Sequence, residues 1–256
     1  MQTAETLMTL LRVFPKKSTT RLTLIIRLVL SNRIRCKIME GYGLQGQPSQ
    51  SQPQAQQGGI SWIPGATTVG VVCKDGVILA AEKRVSYGFF IASKGGKKVF
   101  PITEQIGAAC AGLVSDMQVL ARDVAANANL FSMDVGRKIS VRAAAKLMSN
   151  ILFNRRMAPL ITQTIVGGVD DDGPSLWVLD VLGSVLPDEY AVVGSGTEIA
   201  IAVIEESYNK EMTVAEAKGL VTRAIKSAIS RDTMSGDGID FLIITKEGTT
   251  EETIKL

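Results

Sequence analysis

Apolar residues run almost unbroken through TTVGVV at 67–72 and VILAAE at 77–82, and the Asp-Gly turn between them predicts a β-hairpin. A second hairpin is predicted from strands near 89–92 and 98–102 joined by KGGKK, leading into the small-residue buried strand IGAACAG. The apolar period then lengthens. SDMQVLARDVAANANL, with Ser115 and Asp116 as its starting cap, and SVRAAAKLMSNILFNR space their apolar residues three and four apart, which predicts two amphipathic helices. LITQTIVGGVD, LWVLDVLG and YAVVGSG are strands again, linked by short turns, with DDDG at 170–173 as one of them. TEIAIAVIEESY and TVAEAKGLVTRAIKSAIS are two more helices, the latter burying a stripe of Val214, Ala217, Val221, Ala224 and Ala228. IDFLIITKEG is the final strand.

Strands, two helices, strands, two helices and a strand, with mostly hairpin links, define an α+β class. They imply two packed antiparallel sheets sandwiched between helix pairs, a four-layer αββα arrangement.

The N-terminal quarter lacks these patterns. Between Glu5 and Glu40 there is no acid but eight Lys or Arg residues, and the run LTLIIRLVL is broken by Arg27 and too short for the roughly 20 apolar residues of a membrane span. No small-residue cleavage site follows it, and Met39 is an alternative start of translation. GLQGQPSQSQPQAQQGG at 43–59 has almost no apolar side chains with which to offset ordering entropy and is expected to be disordered. GYGLQG at 41–46 matches a dinucleotide-binding glycine spacing, but no strand precedes it and no helix can follow it. Residues 1–65 are therefore expected to be a leader and 66–256 the folded domain.

Composition narrows the chemistry. A formal charge of +3, whose positive excess lies in the leader, gives the body no broad basic face for nucleic acid. Cys36, Cys73 and Cys110 form no CxxC pair, which fits a reducing compartment rather than a disulfide or zinc scaffold. There is no histidine, so a hydrolase built on this chain must take its general base from an amine or a carboxylate.

From about Gly65 to the C-terminus the chain resembles the β-type subunits of the 20S proteasome core in their archaeal form. TTVG, AAEKR, GGKK, CAG, GSG and RDTMSGDGID occur in order and at matching intervals; each is weak alone and together they are specific. The resemblance implies the Ntn-hydrolase fold and a threonine endopeptidase complex without a cofactor or metal. Propeptide cleavage after Gly65 would expose an N-terminal Thr whose hydroxyl attacks the peptide carbonyl while its own α-amine serves as base.

The same resemblance places Lys98 beside the nucleophile, Glu82 as its acidic partner, and Asp232, Ser235 and Ser195 around the terminal amine. It makes Gly112 the oxyanion donor, and Val85, Cys110 and Val114 the pocket for the residue before the cut bond. Taken on residues alone, Lys98 and Glu82 equally suit a solvated strand, Asp232 a helix end, Ser235 a turn, Ser195 a helix cap, and the pocket residues plain core. It further implies stacked seven-membered rings with α-type and other β-type subunits, unfolded polypeptides as substrates, an ATP-dependent unfoldase cap on the α ring, and a cytoplasmic location, with no nucleic acid or membrane partner.

One position departs from the pattern. Counting back from Lys98, Glu82 and Gly112, the nucleophile position is Ala66, which carries no hydroxyl. Neither the Gly65–Ala66 junction nor a substrate can then be attacked from residue 66, and the chain is expected to be catalytically silent. Thr67 is the alternative nucleophile, but adjacent strand residues face opposite ways, which would aim its hydroxyl away from Lys98 and Gly112. Ala66 is either a substitution that traps a precursor or the natural residue of a second β-type subunit.

Overall fold

The computed structural model describes residues 65–256. The expectations for residues 1–64, including disorder of the leader and a start at Met39, lie outside the described residues.

β1 (Thr67–Val72) and β2 (Gly76–Glu82) form the expected hairpin, and β11 (Ile239–Thr245), β12 (Gly248–Ile254) and β10 (Tyr190–Gly194) complete a five-stranded antiparallel sheet in the order β10-β1-β2-β11-β12. β5 (Val99–Thr103), β6 (Ile106–Gly112), β7 (Thr162–Asp170), β8 (Gly173–Leu179) and β9 (Leu186–Asp188) form a second antiparallel sheet in that order. The 170–173 segment is the β7–β8 turn, closed where Asp170 pairs with Gly173 at φ 106°.

Two-residue alternation sorts each strand between two cores. Val77, Leu79 and Ala81 of β2 face Ala109, Ala111 and Ile165 of the other sheet. Ile78 and Ala80 face outward onto α3 (Thr197–Ser207) and α4 (Val214–Ile229). On the far side α1 (Val114–Val135) and α2 (Val141–Asn154) cover Ile106, Ala108, Cys110 and Val166. The result is the α+β, four-layer αββα sandwich of two antiparallel sheets.

Local chemistry fixes the helix ends. Ser140 caps α2 by accepting from Ala143 N at 3.2 Å, and Thr213 with Glu216 forms a reciprocal capping box on α4. α1 departs from expectation: its N-cap is Leu113, without a side-chain cap, and Asp116 instead accepts from Ile161 N at 2.8 Å, tying the helix to the approach of β7.

Two strand expectations are corrected. β4 (Phe90–Ser93) pairs with β3 (Val85–Tyr87) rather than with the strand after KGGKK, because the chain reverses at Gly88, whose φ of 58° favours glycine. β11 is not the last strand: β12 follows it, and its TTEETI sequence is polar because it is an exposed sheet edge. Among the described residues no helix is long and apolar enough to cross a membrane, and no cluster of three metal-ligating side chains occurs.

Candidate active site

Antiparallel pairing of β1 with β10 sets Thr67 opposite Gly194 and so brings Ser195 beside Ala66, the residue that enters β1. Ala66 is completely buried. Its N–H donates to Ser195 Oγ at 3.1 Å and its carbonyl accepts from Gly196 N at 3.3 Å. A side chain on Gly65 would overlap Met234, and one on Gly194 would overlap the Ala66 carbonyl, so both glycines are required by close approach.

The loop after α4 adds the next layer. Asp232 Oδ2 lies 2.6 Å from both Ser195 Oγ and Ser235 Oγ. Each serine has one proton, and both protons go to the carboxylate, the strongest acceptor present. Ser195 is therefore free to accept from Ala66 N–H, and Ser235 accepts from Thr67 Oγ1 at 2.8 Å. Ser195 is not a helix cap, since α3 is capped at Gly196 without a side-chain bond.

At the other side of Ala66, Glu82 ends β2 and Lys98 leads into β5. Lys98 Nζ donates to Glu82 Oε1 and to Arg84 O at 2.6 Å, while Glu82 Oε2 accepts from Arg84 N at 2.7 Å and Gly236 N at 3.0 Å. Both side chains are withdrawn from water, so the solvated-strand alternative is excluded for each. Burial lowers the Lys98 ammonium below its ordinary pKa, with the Glu82 carboxylate opposing, and burial raises Glu82 against the pull of Lys98 and the two backbone N–H groups. An ammonium poised in this way suits proton handling better than a solvated one.

Gly112 ends β6 at φ 147°, where a Cβ would run into the carbonyl of Ile161. A small cleft is lined by Gly65, Val85, Tyr87, Lys98, Gly112 and Val114. Cys110 does not join that lining. It points from β6 into the core beneath α1, where its thiol accepts from Thr164 Oγ1 at 3.6 Å. Val85 and Val114 thus border the cleft while Cys110 lies behind it. Thr67 faces the opposite side of β1, against Ser235 and Gly196.

Two further residues organise the site, and although both lie within quoted motifs neither motif marks them for a role. Arg84 donates from Nε to Asp237 Oδ2 at 2.8 Å and from Nη1 to Thr233 O at 3.0 Å, spanning the loop that carries Asp232 and Ser235. Gly236 leaves the room that the guanidinium occupies, and Asp237 holds a left-handed φ of 66°. The signal lay in the Arg of AAEKR and the Asp of SGDG, whose pairing only the fold makes visible.

A family model described as proteasome subunit matches residues 64–244. The chain belongs to the proteasome subunit family. It is 52% identical over 190 residues to proteasome subunit beta 2 of Caldivirga maquilingensis, covering 74% of this chain and 95% of that protein. It is 50% identical over 192 residues to proteasome subunit beta 1 of Nitrosopumilus maritimus, covering 75% of this chain and 96% of that one, and 48% identical to beta 2 of Pyrobaculum calidifontis over 75% and 95%. Within this proteasome subunit, residue 66 has its backbone nitrogen on a serine–aspartate relay and follows Gly65, which shares a cleft with the buried Lys98, but it bears only a methyl group.

Proposed function

We propose that this chain is a catalytically silent β-type subunit of a 20S proteasome core. It would form part of the inner rings of a stacked seven-fold barrel with α-type and other β-type subunits, in the cytoplasm. The assembly is an ATP-independent threonine endopeptidase for unfolded polypeptides, fed by an ATP-dependent unfoldase on the α ring. The observation that carries silence is Ala66 itself.

Residue by residue, the surroundings fit an N-terminal nucleophile. Ser195, with Asp232 behind it, would hold a released α-amine in place. Lys98, kept charged by Glu82, would favour the deprotonated hydroxyl of a residue at 66. The Gly112 backbone suits an approaching oxyanion. Only the attacking oxygen is missing, and all the remaining polar groups bond to one another without it, so the cluster persists as structure.

Thr67 does not supply that oxygen. Its hydroxyl is committed to Ser235 on the helix side of β1, and bringing it to Lys98 requires a one-residue slip of a strand paired on both edges. The domain division at residues 65/66 belongs to the same reading, with Gly65–Ala66 as the junction that a neighbouring active subunit would have to cut.

The test is a core particle assembled with α-type subunits, treated with an electrophile that reacts with N-terminal threonine. The expected result is no adduct on this chain by intact mass. An adduct on it, together with peptide hydrolysis, contradicts silence.

A further inference from the structure

A second cleft, of about 520 Å³, lies at the far end of the strands that carry the site. Lys98 precedes β5 and Thr103 ends it. Gly112 pairs with Thr162, the first residue of β7, and Asp170 is the last, about 26 Å further on at about 3.3 Å per residue. One wall of the cleft is the linker between α1 and α2, with Arg137 and Lys138; the other is the β7–β8 turn, with Asp170, Asp171 and Asp172. A space of this size suits a small molecule.

Both walls are fixed within the fold. α1 stops at Gly136, φ 73°, whose N–H donates to Ser132 O at 3.0 Å, and Ile139 anchors the linker in the core beneath the helices. Asp170 is fully used: its Oδ2 accepts from Val141 N at 2.9 Å and its Oδ1 from Asp172 N at 3.1 Å, which ties the turn to the start of α2. Lys138 is likewise taken up by Glu104 at 3.2 Å and Gln105 at 3.5 Å. Arg137 on one wall and Asp171 and Asp172 on the other are left over. Among the described residues none of the three makes an ion pair, although all line the same cleft. The Arg137 guanidinium rests instead over the Phe131 ring, 5.7 Å from its centroid, which locates the group without using its N–H donors.

Opposite charges that share a cleft and do not meet suit a ligand that carries both, a carboxylate for the guanidinium and an ammonium for the carboxylates. A simple anion would face the two aspartates, and a simple cation would face Arg137. A short peptide with free ends holds its two charges at opposite ends of a backbone, and Asn129 in the same lining offers an amide to the peptide groups between them. A single amino acid has both charges on one carbon and does not reach across walls that stand too far apart to pair directly.

We propose that this cleft binds short peptides with free termini, the α-ammonium against Asp171 and Asp172 and the terminal carboxylate against Arg137. Because both walls are pinned beforehand, little ordering opposes binding. The assignment is independent of whether residue 66 can attack a substrate.

The experiment titrates the full chain with trialanine by calorimetry, beside its N-acetylated and C-amidated forms and glycine. Saturable binding of trialanine is expected, weakened at least about tenfold by either block and absent with glycine, since each block removes one charge-assisted contact. Arg137→Gln should also lose at least about tenfold and make C-amidation neutral, whereas Asp171→Asn with Asp172→Asn should make N-acetylation neutral; the melting temperature should stay unchanged in each. A tripeptide carrying a diazirine side chain should label residues 129–140 or 169–173. Binding that ignores both blocks, glycine that binds as tightly as trialanine, absence of saturable binding, or a label confined to the cleft at Val85 and Val114 overturns the proposal. The blocked peptides act on the unsubstituted chain, so a variant that fails to fold does not remove the test.

Discussion

Thr67 Oγ1 lies 2.8 Å from Ser235 Oγ, so the first hydroxyl of β1 is spent on the loop that holds Asp232. The residue beside it, Ala66, occupies the strand face that looks toward the second sheet. One step along a strand therefore separates a hydroxyl with a structural bond from a position with no hydroxyl.

Thr67→Val keeps the shape and removes that bond. Ser235 retains its bond to Asp232, so the cost should be about 1 kcal/mol, the usual net value of one hydrogen bond. Chemical denaturation of the chain checks it. Hydrolysis by the assembled particle should not change, which an active Thr67 would not allow.

Lys98→Met leaves the Glu82 carboxylate buried with only two backbone donors. Breaking a buried pair from one side costs about 3–5 kcal/mol. Adding Glu82→Gln removes the stranded charge while keeping an acceptor for Arg84 N and Gly236 N, so the double variant should be more stable than Lys98→Met alone. Additive losses in a double-mutant cycle would contradict the coupling.

The Arg84 guanidinium holds the Asp237 carboxyl below its ordinary carboxylate range. A depressed folded pKa contributes stability above the unfolded value, and that stability is lost as pH falls through the folded one. The stability difference between the natural chain and Asp237→Asn should thus be constant from neutral pH to about 4, the ordinary value, and shrink below it. Stability measured by urea denaturation from pH 7 to pH 2.5 reads this directly; a difference that grows on acidification would contradict it.

Burial pushes the thiols of Cys73 and Cys110 up, to about 12 and about 11 respectively. At pH 8 neither should react with an alkylating reagent in the folded chain, while both should react in denaturant. Rapid native labelling of either would mean that a core strand opens.

The four-layer order was legible because the buried strands are short and apolar while the helices repeat every three to four residues. The parts that escaped are those where tertiary position overrides pattern. KGGKK reads as a hairpin turn, but Gly88 makes the reversal and the Lys98 in that string is buried against Glu82. β12 is hidden by its polar edge sequence, and Ser115 and Asp116 read as a cap although Asp116 bonds Ile161 N from a segment 45 residues away. The motifs brought Glu82, Lys98, Ser195, Asp232 and Ser235 to notice individually. The bonds that carry Ala66 and Thr67 onto the Ser195–Asp232–Ser235 relay, the Gly236–Glu82 bond and the Arg84–Asp237 clamp across the same loop all join residues more than 100 apart along the chain.

The central claim is that a single missing hydroxyl separates this chain from a working subunit. Ala66→Thr, assembled with α-type subunits, measures it by intact mass and peptide hydrolysis in the same preparation. The account predicts a chain that begins at residue 66, hydrolyses peptides and takes up an N-terminal-directed inhibitor, while the Ala66 chain shows no adduct. If the Ala66 chain forms the adduct as readily as the variant, or if the variant assembles and remains both uncut and inert, the account is contradicted.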